Sequence, residues 1–204
     1  MLIAAFTNEE DGKLSEYRQN LPTGFYSRID IEKTVFPNML ATGQHFTFGI
    51  MPSLCCCCIK REIMINNYID VPNDLTLGDD ACITYPCILD ADSLYISNDC
   101  GYYYRTNGNS MTHSWNPRIF LQCQKLFSYL ETVKKRKKWD ADGQIVEYKA
   151  FITWFIVRKA LTADCNDFIN VCRELNEYLQ KNHIIEALIS LQHKKMAPKR
   201  RLIY

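Results

Sequence analysis

The chain has 204 residues, of which 47% are hydrophobic, enough to bury a core of one large domain or of a compact region with a helical tail. Its 24 basic and 23 acidic residues leave a formal charge of +1, so no global field draws in a nucleic acid and none is expected as a partner. No stretch approaches the ~20 apolar residues of a spanning helix, and Met1–Phe6 is too short and lacks the basic segment of a signal peptide, so a cytoplasmic soluble protein is expected.

Leu2 to Phe6 is an apolar run that reads as a buried strand, and the polar segment Thr7–Lys13 contains the turn pair Asp11-Gly12. An apolar strand so near the start needs neighbours on both sides, a first hint that the sequence opens in the middle of a sheet. Leu21–Tyr26 carries Pro22 and Gly24 and reads as a loop. Ser27–Leu40 reads as a helix with Asp30 as N-cap, kinked or ended by Pro37. After a loop over Gly43–Pro52 comes the apolar run Leu54–Ile59, then a helix start at Lys60–Ile63. Tyr68–Leu77 reads as an irregular connection, and Gly78-Asp79-Asp80 opens a helix from Ala81 to about Asp90, where acidic residues suit the positive end of the macrodipole. Pro86 is awkward inside that helix.

Leu94-Tyr95-Ile96 predicts a strand, Asn98-Asp99 a turn and Tyr102–Tyr104 a second extended run, followed by the polar loop Thr106–Ser110. From Pro117 the pattern is helical. Phe120, Cys123, Phe127 and Leu130 form one apolar stripe, ended by the basic run Lys134–Lys138. Ile145–Leu161 is apolar nearly all round and reads as a central helix. Phe168, Val171, Cys172, Leu175 and Leu179 form a third stripe with Asp167 as N-cap, and Ile184 to Leu191 a fourth, before a basic tail over Lys194–Tyr204.

Ten cysteines in a chain this long and apolar do not suggest a secreted disulfide scaffold. Cys55 to Cys58 are consecutive, whereas structural zinc sites space their thiolates by two to four residues, and neighbours in a strand point to opposite faces. The run reads as a buried segment of reduced cysteines acting as small hydrophobes.

Three motifs then occur in order. Ile59-Lys60-Arg61-Glu62-Ile63 is followed by Leu77-Gly78-Asp79-Asp80 with its helix. Next come Leu94-Tyr95-Ile96-Ser97-Asn98, Gly101-Tyr102-Tyr103-Tyr104-Arg105 and Gly108-Asn109-Ser110-Met111-Thr112. Together with the preceding segment Gly24–Leu40, they resemble the second half of the GT-A domain of bacterial family 2 glycosyltransferases, the enzymes that build capsule, teichoic acid and lipopolysaccharide sugars. The resemblance implies an α/β fold: a partial GT-A domain over residues 1–115, with an incomplete Rossmann-like mixed sheet lacking the nucleotide-binding strands, followed by a C-terminal helical bundle over 116–204. It implies inverting transfer from a nucleotide-sugar donor to a saccharide or lipid-linked acceptor.

An acceptor hydroxyl must lose its proton as it attacks the anomeric carbon, and a carboxylate at a helix start on the rim of a sheet can take it. The resemblance places Asp80 in that role, with Asp79, where the family has Glu, orienting the acceptor; the alternative is that both merely cap the helix. It places Arg105 at the donor phosphates, since a guanidinium pairs well with phosphate oxygens; Tyr102–Tyr104 are expected to pack with one face toward the site, and Tyr104, Asn109 and Ser110 are the further candidate substrate-binding residues. His113 stands near a position where some members carry a metal-ligating His, or is an ordinary surface residue.

The sequence also departs from the family. Cys56-Cys57 stand where Asn-Lys is common. No Asp-x-Asp that would hold Mg²⁺ or Mn²⁺ on a diphosphate precedes residue 30, and Asp90-Ala91-Asp92 merely ends a helix. The expectation is an acceptor-binding part that works with a nucleotide-binding half, the metal belonging to the complete enzyme. The alternative is a non-catalytic remnant acting as a binding or assembly module, as a homo-oligomer or otherwise. Lys134–Lys138 and Lys194–Arg201 would rest on an anionic inner membrane face, or are solvated helix ends.

Overall fold

The computed structural model describes residues 1–44, 47–105, 116, 118–162, 168–181, 184–185 and 189. The architecture is mixed α/β. One strand, β1 (Leu2–Glu10), lies inside a five-stranded mixed sheet and carries the fully buried Ile3 and Ala5. Residues 1–10 were expected to leave the strand at Phe6, but β1 runs on to Glu10. Its polar end pairs with β2 (Lys13–Tyr17) in an antiparallel hairpin whose far side faces solvent, so those positions need not be apolar. Asp11 (φ 51°) and Gly12 (φ 75°) make the two-residue turn, both left-handed as a primed hairpin turn demands.

Two more strands lie on the other side of β1. Both were misread in the sequence. Gly24–Ser27, expected as loop because of Pro22 and Gly24, is β3 and pairs antiparallel with Ser93–Ile96. The two runs around Asn98-Asp99 are one strand, β5 (Ser93–Arg105), parallel to β1. The turn signal marks bulges instead: Ile3 faces Ile96, Ala5 faces Cys100 and Thr7 faces Tyr103, so β5 carries extra residues there. The Ser97 hydroxyl donates to Asp99 Oδ2 at 2.8 Å and accepts from the Asp99 N–H at 3.0 Å, which fixes the bulge locally. A two-residue strand, β4 (Cys57–Cys58), covers the outer edge of β1 at Leu2 and Ile3, giving the order β2-β1-β5-β3 with β4 beside β2 on the same edge.

Ser27, rather than Asp30, caps the first helix. Its hydroxyl accepts from the Asp30 N–H while the Asp30 carboxylate accepts from the Ser27 N–H, a reciprocal box that puts Asp30 at the third helical position. This helix, α1 (Arg28–Asp30), continues as a π turn over Ile31–Val35 and a 3₁₀ turn over Phe36–Asn38, ending one residue past Pro37. The helices α2 (Arg61–Tyr68) and α3 (Asp79–Leu89) follow, and every residue of α3 from Ala81 to Leu89, Pro86 included, is buried. Fully buried Asn67 joins them, donating to Ile63 O and Asp90 Oδ2, both at 2.9 Å.

The C-terminal helices α4 (Ile119–Lys137), α5 (Asp142–Thr162) and α6 (Phe168–Lys181) pack on the same core. Leu126, Leu130, Ile145, Ile156 and Tyr178 join Ile31, Met39, Tyr85, Ile88, Leu94 and Ile96 in one cluster, each large side chain contributing ~1.5–3 kcal/mol by leaving water. The stripe Phe120, Cys123, Phe127 and Leu130 is buried as its spacing demands, whereas Cys172 of the third stripe is exposed and Tyr178 takes the core position. Of the fourth stripe Ile184 is buried in the same core and Ile185 is exposed; Asp167, Leu188 and Leu191 lie outside the described residues.

Two buried glutamines connect the halves. Gln144 accepts from the Leu40 N–H at 2.9 Å and donates to Phe36 O at 2.7 Å, and Gln122 accepts from the Thr76 N–H at 2.7 Å and donates to Asp74 O at 3.0 Å. The basic run at the end of α4 is largely engaged within the molecule: Lys134 pairs with Glu131 and Asp142, Arg136 with Asp70, and Lys137 with Asp90. No helix among the described residues is long and apolar enough to cross a membrane.

Candidate active site

The site begins with a turn. Gly78 (φ 75°) is the residue before α3, and a Cβ there would lie 2.6 Å from a methyl of Leu126 in α4. Only a residue without a side chain fits both the left-handed backbone and the contact. Gln122 of the same helix holds the preceding loop by the Thr76 N–H. The chain is therefore delivered to the start of α3 in one conformation, and Asp79 and Asp80 become its first two residues.

Asp79 is exposed and Asp80 half-buried, and Asp80 has no ion pair among the described residues. Its carboxyl pKa is raised above the ordinary 3.8, first by burial and then by the neighbouring Asp79 charge, against an opposing hydrogen bond from the Leu54 N–H. Both carboxylates open into a cleft of about 330 Å³, lined also by Pro52, Thr76 and Leu77, and by Phe155 and Lys159 from α5. The Lys159 ammonium sits 5.8 Å from the Phe155 ring centre, and burial lowers its pKa. Neither α5 residue stood out in the sequence; the available signal was the basic pair Arg158-Lys159 after the apolar run Phe155–Val157.

The cysteine run packs against α3 without lining the cleft. It is not the uniformly buried segment expected: Leu54–Cys56 is a 3₁₀ turn, Cys57–Cys58 is β4, Cys56 is buried, and Cys55 and Cys58 are exposed. The run ends at the edge of the sheet, where alternate residues face solvent. Cys56 and Cys57 are pushed up to about 12, by burial first, with the Asp80 charge also contributing.

The residues assigned to the donor side are not brought to this cleft. Tyr104 pairs in register with Asn8 and its ring lies 6.2 Å from that of Phe6, while Arg105, at the far end of β5, pairs with Glu9 at 3.2 Å. Asn109, Ser110 and His113 lie outside the described residues. No group of three His, Cys, Asp or Glu side chains able to hold a metal occurs among the described residues. Asp79 and Asp80 alone do not make the oxygen cage of Mg²⁺ or Mn²⁺, and Asp90 is already engaged by Asn67 and Lys137, so the described residues do not fit that ion.

No protein-family model, curated protein or solved structure matches the chain.

Proposed function

We propose that the chain is the acceptor-binding, catalytic-base portion of an inverting, nucleotide-sugar-dependent glycosyltransferase of the GT-A type, acting in cell-surface polysaccharide or glycolipid synthesis. The observation that carries this reading is Asp80: a carboxylate at a helix start beside a sheet edge, without an ion pair among the described residues, opening into a cleft. The motif resemblance around it supplies the reaction type.

In this mechanism the acceptor hydroxyl donates a hydrogen bond to the Asp80 carboxylate. Asp80 takes the proton as the acceptor oxygen attacks the anomeric carbon and the nucleotide diphosphate leaves from the opposite face. A carboxylate with a raised pKa holds a proton more readily at neutral pH than an ordinary one, which suits a general base. Asp79, exposed at the mouth, orients further hydroxyls, and the Phe155 ring offers an apolar surface to the C–H face of a sugar. Binding of the donor, and of any metal on its diphosphate, belongs to a nucleotide-binding half.

Titration with saccharides tests this without the donor. Acceptor sugars should shift the NMR resonances of Asp80, Thr76 and Phe155, and calorimetry should detect no affinity of this chain for nucleotide-sugars. Micromolar nucleotide-sugar binding, or saccharide shifts confined to another surface, would contradict the assignment. Saccharide binding without transfer in the presence of a nucleotide-binding half would favour the binding-module alternative.

A further inference from the structure

Two thiols meet in the turn that packs against α3, outside the lining of the cleft. Cys55 Sγ and Cys56 Sγ are 3.5 Å apart, and Ser53 Oγ lies 3.1 Å from the Cys55 sulfur. Cys55 is exposed and Cys56 buried, so one sulfur is open to solvent while its neighbour is shielded. Both belong to a 3₁₀ turn closed by the Cys56 N–H on Ser53 O at 3.2 Å and by the Cys57 N–H on Leu54 O. That turn, Leu54–Cys56, packs against α3, the helix whose first two residues are Asp79 and Asp80. The dithiol therefore lies in the segment packed beside the helix that carries the carboxylate.

We propose that Cys55 and Cys56 form a reversible oxidation site, in which a peroxide closes a vicinal disulfide and thereby alters the environment of Asp80. The exposed Cys55 sulfur attacks a peroxide oxygen; an S–O bond forms, the O–O bond breaks, and with hydrogen peroxide one water leaves. The Cys56 sulfur then attacks the Cys55 sulfur, the S–S bond forms, the S–O bond breaks, and a second water leaves. The two thiols lose two electrons and two protons, and one peroxide is reduced to two waters. Burial holds the Cys56 thiol protonated at neutral pH, which fits the resolving position rather than the attacking one.

Adjacent Cα atoms are ~3.8 Å apart, inside the ~4.4 Å at which ordinary disulfides begin. A bond between neighbours is therefore strained, and strained, exposed disulfides are the readily reduced, regulatory ones. Closing the ring reshapes the turn that packs against the helix carrying Asp80. An effect on sugar transfer rests on Asp80 being the base; the sulfur chemistry does not.

The purified chain is treated with hydrogen peroxide, its remaining thiols are capped with N-ethylmaleimide, and it is analysed by mass spectrometry. Two fewer capped thiols, a peptide two hydrogens lighter with no backbone fragmentation between residues 55 and 56, and recovery with dithiothreitol are expected. Cys55→Ser should abolish the product, and a Cys57→Ser/Cys58→Ser double variant should retain it. A link from Cys55 to any other cysteine, or unchanged capping, overturns the site. Carboxyl NMR should then show the Asp80 midpoint shifting on oxidation; an unmoved midpoint overturns the coupling. A chain that oxidises as described but supports no transfer when joined to a nucleotide-binding half would defeat the glycosyltransferase reading and leave this one standing.

Discussion

Replacing Gly78 with alanine strikes the turn that aims the two carboxylates. Two penalties apply. The backbone sits at φ 75°, and a Cβ in left-handed conformation costs ~1–2 kcal/mol. The new Cβ would also lie 2.6 Å and 3.0 Å from the two Leu126 methyl carbons. Leu126 is fully buried, so its methyls have little room to swing away, and overpacking of this kind costs ~1–3 kcal/mol. Together the loss is ~2–5 kcal/mol, a large share of the ~5–15 kcal/mol that holds a typical domain folded. Gly12→Ala is an internal control, because Gly12 has the same φ of 75° and nothing within 4 Å of an added Cβ. Urea unfolding followed by circular dichroism should show Gly12→Ala losing ~1–2 kcal/mol from the backbone term alone, with Gly78→Ala losing ~1–3 kcal/mol more from the contact. In a double-mutant cycle Leu126→Ala should relieve part of the Gly78→Ala loss, so the two do not add. Equal losses at the two glycines would refute the Leu126 contact, and a neutral Gly78→Ala would refute the left-handed turn itself.

Asp80→Asn should stabilise the fold at neutral pH. The raised carboxyl pKa means the folded state holds that proton more tightly than the unfolded chain. The cost of ionising Asp80 is absent below the ordinary 3.8, grows as pH rises towards the folded value, and is constant above it. Urea midpoints of wild type and variant should therefore coincide at low pH and separate as pH rises; a gap that opens in the opposite direction would refute the raised pKa. Gln144→Leu strands the buried Leu40 N–H and leaves Phe36 O only the 3.4 Å bond from Trp139 Nε1, and should cost ~1–3 kcal/mol in the same assay, against no measurable change for Arg18→Ala, whose pair with Glu16 is mostly solvent-exposed. A near-neutral Gln144→Leu would mean that α5 is not tethered to the first half of the chain by this side chain.

Local pattern revealed the elements whose cause is local. The helix stripes were legible because burial of Phe120, Cys123, Phe127 and Leu130 imposes a 3.6-residue period, and α3 was legible from Gly78 and the acidic pair at its start. The sheet was less legible. Asn98-Asp99 carries turn chemistry that the parallel partner β1 absorbs as bulges, and Gly24 sits in a short strand that only its pairing with β5 defines. Asp80 could be singled out only through the motifs around it, because a carboxylate at a helix start is by itself most simply a cap. Phe155 and Lys159 could not, because they reach the cleft through the packing of α5, which no local spacing encodes. The same holds for Arg105: its guanidinium chemistry is plain in sequence, but its pairing with Glu9 follows from the register of β5 against β1.

The central claim is that the Asp80 carboxylate deprotonates a sugar hydroxyl. The most direct test is the rate of sugar transfer by the chain joined to a nucleotide-binding half, comparing wild type with Asp80→Asn at neutral pH and with folding verified by circular dichroism. The account predicts a fall of ~10²–10⁴-fold in kcat, the usual contribution of a positioned base. Transfer at the wild-type rate by a folded Asp80→Asn protein would contradict it.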